Sequence, residues 1–88
     1  MPIPIHSTPN PNAHKYVLPT TRFSVPLNAS TADEAAVHSL AARLFALDGV
    51  YNVFLAQGFV TVNKVAEAEW GGVDEKVVAI IEEFLEGR

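Results

Sequence analysis

At 88 residues, with 49% hydrophobic and 18% charged side chains, the chain reads as one small globular domain with a modest core. It contains no cysteine, which excludes disulfides, Cys-x-x-Cys redox pairs, thiolate-held metal centres and a cysteine nucleophile. A net charge of −4, with six basic residues scattered from Lys15 to Arg88, argues against nucleic acid as a partner, because phosphate recognition needs clustered Lys and Arg.

Four of the six prolines, Pro2, Pro4, Pro9 and Pro11, fall in the first eleven residues and forbid a helix there. Residues 1–7 are expected to be flexible and the domain to span 1–88. The stretch Met1-Pro2-Ile3-Pro4-Ile5 has neither a basic n-region nor a long apolar h-region, and no apolar run approaches the ~18 residues of a membrane span. The expectation is a soluble cytoplasmic protein without a membrane partner. Thr8-Pro9-Asn10-Pro11-Asn12 reads as consecutive turns, with Asn side chains bonding backbone groups two residues on.

Ala13 to Leu18 follows as a strand, with Tyr16 and Leu18 on one face and Val17 on the other. Arg22 to Val25 is a second short strand; Pro26 either ends it or confines it to a sheet edge. Thr31 and Glu34 fit a capping box. From there Val37, Leu40, Ala41, Leu44 and Phe45 make an apolar stripe at helical spacing, and Gly49 is placed to end the helix.

Val50–Leu55 and Phe59–Lys64 read as a hairpin around a three-residue Ala56-Gln57-Gly58 loop. Trp70-Gly71-Gly72 interrupts the pattern. A second helix then runs from Val73 to about Leu85, with Val73, Val77, Ile80, Ile81, Phe84 and Leu85 facing the core. The predicted order is β-β-α-β-β-α. That is an α+β fold, a four-stranded and mainly antiparallel sheet with two helices on one face.

Three stretches together carry a family resemblance. They are Thr8-Pro9-Asn10-Pro11-Asn12-Ala13-His14-Lys15-Tyr16; Leu40-Ala41-Ala42-Arg43-Leu44-Phe45-Ala46-Leu47-Asp48-Gly49-Val50-Tyr51-Asn52-Val53-Phe54; and Phe59-Val60-Thr61-Val62-Asn63-Lys64 followed by Trp70. The chain resembles the N-terminal domain of Nfu/NifU-type scaffold proteins, from about Thr8 to Leu85. In multidomain members of that family a separate domain carries the Cys-x-x-Cys pair that holds an iron–sulfur cluster. The resemblance therefore implies a place in iron–sulfur cluster assembly or delivery without cluster binding by these residues. It also implies a protein partner: a scaffold, a carrier or an apo-client. The chain departs from the family at His14, where an apolar residue is usual, and at His38-Ser39, where the family tends to place Ser-Pro. The second departure points to a helix that begins earlier, near Thr31.

Candidate site residues gather near the first strand and at Trp70. Thr8, Asn10, Asn12, His14, Lys15 and Trp70 could form a surface for a partner or a small anion, and His14 with Lys15, Asn10 and Asn12 is the alternative iron- or phosphate-binding set. The plainer reading is that the Asn and Pro residues set the entry of the first strand and that Trp70 packs. The histidines, His6, His14 and His38, show no HExxH or i, i+4 pairing and are expected to be exposed or packed rather than ligands. Seven of the ten acids lie at or after Glu67, an acidic helix that could dock a basic surface. No nucleophile elbow, phosphate-cradling glycine loop or carboxylate dyad is present, so no enzyme, cofactor or resident metal is expected.

Overall fold

The computed structural model of the chain describes residues 3–19 and 23–87. Among them are five strands: β1 (Ile5–Ser7), β2 (Ala13–Val17), β3 (Phe23–Ala29), β4 (Val50–Gln57) and β5 (Phe59–Lys64). They form one sheet in the order β1-β2-β5-β4-β3, every pairing antiparallel. Three helices accompany it: α1 (Ala32–Ala35), α2 (Ser39–Phe45) and α3 (Trp70–Leu85). None is long and apolar enough to cross a membrane. The α+β class is as expected, whereas the count of four strands and two helices is not.

The extra strand is β1. Ile5 lies opposite Tyr16 and Ser7 opposite His14, and Val17 N–H donates to Pro4 C=O at 3.0 Å. Pro4 precedes the strand, where a missing N–H removes no ladder bond. β3 is the other edge, and it runs through Pro26 to Ala29. A register shift between Phe23 and Leu27 accommodates the proline, so Pro26 confines the strand to an edge rather than ending it. Arg22, read as its first residue, lies outside the described residues.

The extra helix comes from a break in the segment expected to be continuous. Thr31 caps α1: its Oγ1 accepts from Glu34 N–H at 3.1 Å, and Glu34 Oε1 reaches back to accept from Ser30 N–H at 2.8 Å. α1 stops after one turn. His38 then adopts extended backbone and caps α2, its Nδ1 accepting from Leu40 N–H at 3.2 Å. A helix start at His38-Ser39 is therefore present beside the earlier one at Thr31, with an imidazole nitrogen doing what a hydroxyl usually does. Val37, expected in the buried stripe, sits in the break and is 74% exposed.

The hairpin turn is tighter than expected. Ala56 pairs with Phe59, leaving Gln57 and Gly58 as a two-residue turn in which Gln57 takes a positive φ of 30°. α3 starts at Trp70 rather than Val73, so Gly71 and Gly72 lie inside its first turn.

The core sits between the sheet and the helices. Tyr16, Val53, Leu55, Val60 and Val62 supply the sheet side, and Ala35, Leu40, Ala41, Leu44, Val73, Val77 and Ile81 the helix side. The helix expected to end at Gly49 stops sooner, at Phe45 with Ala46 as its C-cap; Gly49 instead takes φ +89° in the connection to β4, where a Cβ would stand 2.8 Å from the Cβ of Ala68.

Gly49→Ala combines a left-handed backbone with a clash against the Ala68 methyl, and it should cost at least about 1–2 kcal/mol in denaturant unfolding. Gly71→Ala is the contrast, since nothing lies within 4 Å of its added carbon. Within a helix it should leave stability unchanged or raise it by up to about 1 kcal/mol.

Candidate functional site

The Thr8–Asn12 loop is closed by its own side chains. Thr8 Oγ1 accepts from Asn10 N–H at 3.1 Å and lies 2.9 and 3.0 Å from the carbonyls of Asn10 and Ala13. Asn10 Oδ1 accepts from Asn12 N–H at 2.9 Å, and Ala13 N–H donates to Asn10 C=O at 3.0 Å. These Asx- and Thr-type turns follow from short polar side chains that reach backbone groups two residues on.

Two side chains from distant elements pin this loop. Trp70 Nε1 donates to Pro11 C=O at 2.9 Å. Lys64 Nζ donates to Asn12 Oδ1 at 3.0 Å, lies 3.4 Å from Val65 C=O and stands 5.4 Å from the Trp70 ring centroid. Lys64 is only 6% exposed. A buried ammonium is costly unless oxygens and a π face replace its water, and this arrangement provides both.

Beneath the loop, the His14 ring stacks on Trp70 with centroids 3.7 Å apart and planes 6° from parallel. Its Nδ1 lies 3.0 Å from Asp74 Oδ1, and the same oxygen accepts from the Tyr16 hydroxyl at 2.6 Å. Alternation along β2 puts His14 and Tyr16 on one face, and the i, i+4 spacing of Trp70 and Asp74 puts both on one side of α3. With Asp74 ionised, the carboxylate accepts from Nδ1–H, which leaves the lone pair of a neutral imidazole on Nε2. Burial first, and then the hydrogen bond to Asp74 and that carboxylate's charge, push the Tyr16 phenol well above its ordinary range.

The residues singled out from the sequence divide into three sets. Asn12, His14 and Trp70 converge on this network. Thr8 and Asn10 belong to the same loop but bond its own backbone. Lys15 is on the opposite face of β2, with Nζ 4.3 Å from the Phe59 ring centroid. His6 pairs with Lys15 across β1 and β2, and His38 caps α2, so the three histidines do not meet. No group of three or more His, Asp or Glu side chains among the described residues is placed to hold a metal ion. Lys64, Asp74 and Tyr16 were not anticipated as members. The shared faces of His14 with Tyr16 and of Trp70 with Asp74 were the available signals.

Comparison with known proteins shows the family and the fold. The family model "Scaffold protein Nfu/NifU N terminal" matches residues 3–88. The chain belongs to the Nfu/NifU N-terminal family. It is 34% identical over 85 residues to the mitochondrial NFU1 iron-sulfur cluster scaffold homolog of Drosophila willistoni, covering 94% of this chain and 29% of that protein. A NifU-like protein of Schizosaccharomyces pombe is 37% identical over 84 residues, covering 89% of this chain and 31% of its own. The Nfu N-terminal chain thus spans under a third of the length of these relatives. Among solved structures, protein SAV1430 from Staphylococcus aureus superimposes with a TM-score of 0.77 at 28% identity, covering 92% of this chain and 99% of that one. A NifU-like protein from Saccharomyces cerevisiae shares the fold, with a TM-score of 0.82 at 24% identity over 98% of this chain and 79% of its own.

Asp74→Ala strands the buried Tyr16 hydroxyl and should cost about 1–3 kcal/mol in denaturant unfolding, whereas Glu75→Ala, at the exposed next position, should stay within about 0.5 kcal/mol. The raised Tyr16 phenol also sets an alkaline response. The unfolded chain releases this proton near its ordinary pKa of about 10, while the folded chain retains it. Stability due to Tyr16 is therefore fully present below about pH 10 and falls as pH rises beyond it. Unfolding measured from pH 8 to 11 should show a shallower alkaline decline in Tyr16→Phe than in the unaltered chain.

Proposed function

We propose that this domain is a non-catalytic interaction module of iron–sulfur cluster assembly or delivery, which binds a scaffold, carrier or apo-client protein and contributes no cluster ligand of its own. The observation that carries this reading is the family match over residues 3–88 in a sequence without a single cysteine. Clusters are held chiefly by thiolates, so the domain's part is recognition rather than carriage. A cross-braced domain suits recognition, because a body already ordered loses less entropy on binding. Neither nucleic acid nor membrane enters this reading. The cytoplasmic location read from the sequence belongs to the same proposal; the fly relatives are named as mitochondrial, and imaging of the tagged protein distinguishes the two compartments.

Iron or small-anion binding at His14 with Asn10, Asn12 and Lys15 is the competing reading. Its support is the His14–Asp74 pair, which directs the imidazole lone pair to Nε2. Lys15, on the other face of β2, does not add to that set.

Affinity capture from native extract with the tagged chain should recover at least one cluster-assembly component or iron–sulfur client, and the purified protein should be colourless. Recovery of none, or a brown protein retaining stoichiometric iron and sulfide, overturns the proposal. NMR shifts confined to His14 and its neighbours on adding Fe(II) or inorganic phosphate would favour the competing reading instead.

A further inference from the structure

The sheet face turned away from the helices has a composition unlike the rest of the molecule. Phe54 of β4 and Phe59 of β5 lie on it with ring centroids 6.1 Å apart, and neither ring belongs to the core cluster or packs against it. Phe54 pairs with Thr61, and Phe59 with Val17. Lys15, opposite Thr61, holds its ammonium 4.3 Å from the Phe59 centroid, and among the described residues no carboxylate pairs with it. On the side of β4 and β3 the face is bordered by amides. Asn52 Nδ2 donates to Asn28 Oδ1 and Ser30 Oγ, each at 2.9 Å, and Asn63 Nδ2 donates to Asn52 Oδ1 at 3.0 Å.

Charge is distributed with the same asymmetry. None of the five strands contains Asp or Glu. All ten acids lie in the helices and connections, from Asp33, Glu34 and Asp48 to the seven at or after Glu67. In a chain of net charge −4, no strand therefore places an acid on this face, and a lysine standing on an aromatic ring lies within it.

We propose that this face docks an acidic, aliphatic segment of a partner protein, with Lys15 receiving a carboxylate and the Phe54–Phe59 pair its apolar side chains. The proposal rests on the interaction reading above and names the surface and the chemistry of what it binds. Charge decides among occupants. A nucleic acid or an anionic membrane needs several clustered cations and would be repelled by the remaining acids. A lysine beside an aromatic pair instead suits one carboxylate amid apolar contacts. A second copy laying its acidic α3 on this face is the remaining occupant, and the concentration series below tests it.

The test titrates the isotope-labelled chain with a synthetic amphipathic helix of Leu and Glu, and with the same helix carrying Lys in place of Glu. The Leu–Glu helix should shift amides at Lys15, Val17, Phe54, Phe59 and Thr61 and bind at least about tenfold tighter than the Leu–Lys helix at low salt. Lys15→Glu should reverse that preference, and Phe59→Ser should abolish binding of both helices, with circular dichroism unchanged in each variant. Equal or tighter binding of the Leu–Lys helix overturns the proposal. So do shifts elsewhere, such as the cleft lined by Ile3, Leu18 and Leu85, the same shifts on raising protein concentration alone, or preferential binding of oligothymidylate. The capture experiment repeated with Lys15→Glu separates the two readings. Loss of the recovered components in this variant alone supports the docking face. Their retention overturns the face and leaves the family reading standing, and recovery of nothing with the unaltered chain overturns the family reading.

Discussion

One carboxylate oxygen joins the two layers of this domain. Asp74 Oδ1 receives the Tyr16 hydroxyl from within the sheet and the His14 imidazole beside it, and Asp74 itself stands near the start of the longest helix. Local chemistry gives that helix a poor beginning. Glu69, at its N-cap, makes no side-chain capping bond, and two of the first three residues are glycine. Glycine costs up to about 1 kcal/mol relative to alanine in a helix. The early start at Trp70 is therefore tertiary in origin. Asp74 fixes the first turn to β2, Trp70 stacks on His14, and the indole N–H reaches Pro11. The same contacts hold the Thr8–Asn12 loop, so the loop, β2 and α3 form one cross-braced unit.

The parts of this fold that were legible in the chain are those whose physics is local. The Thr31–Glu34 capping box and the alternation through β2, β4 and β5 depend only on residues within a few positions of one another. The misreadings share the opposite property. β1 exists because β2 offers it an edge. The α1–α2 break rests on His38, an unusual cap whose imidazole Nδ1 meets Leu40 N–H only once the backbone has turned. A helical stripe that included Val37 was consistent with spacing, but spacing does not register a cap in its middle.

The network around Asp74 and Trp70 was legible in half. Asn12, His14 and Trp70 stood out as residue types, and the structure unites them. Lys64 and Asp74 did not, because each reads as ordinary where it stands, one closing a polar strand end and the other supplying an acid to a helix start. Their meeting depends on β2 lying beside β5, a pairing of strands distant in sequence, and on α3 crossing over both. No periodicity within either segment encodes that adjacency. Once β2 is placed beside β5, Lys64 N–H bonds Asn12 C=O at 2.8 Å, and its ammonium has the loop within reach.

Alternation along β2 has a final consequence for where recognition can occur. Adjacent residues His14 and Lys15, read together as one candidate surface, are sent to opposite sides of the sheet. His14 goes inward, and its Nδ1 and its ring face are engaged by Asp74 and Trp70. Lys15 goes outward to a face that no described helix covers, where its charge meets an aromatic ring and, among the described residues, no carboxylate. A network whose donors and acceptors are already matched gains little from a newcomer, because any new bond must displace an existing one. A cation without a counter-charge, set beside aromatic surface outside the core, has interaction capacity left to use. The brace that makes the helix side rigid thus leaves the uncovered side of the sheet as the part of this domain best prepared to meet another protein.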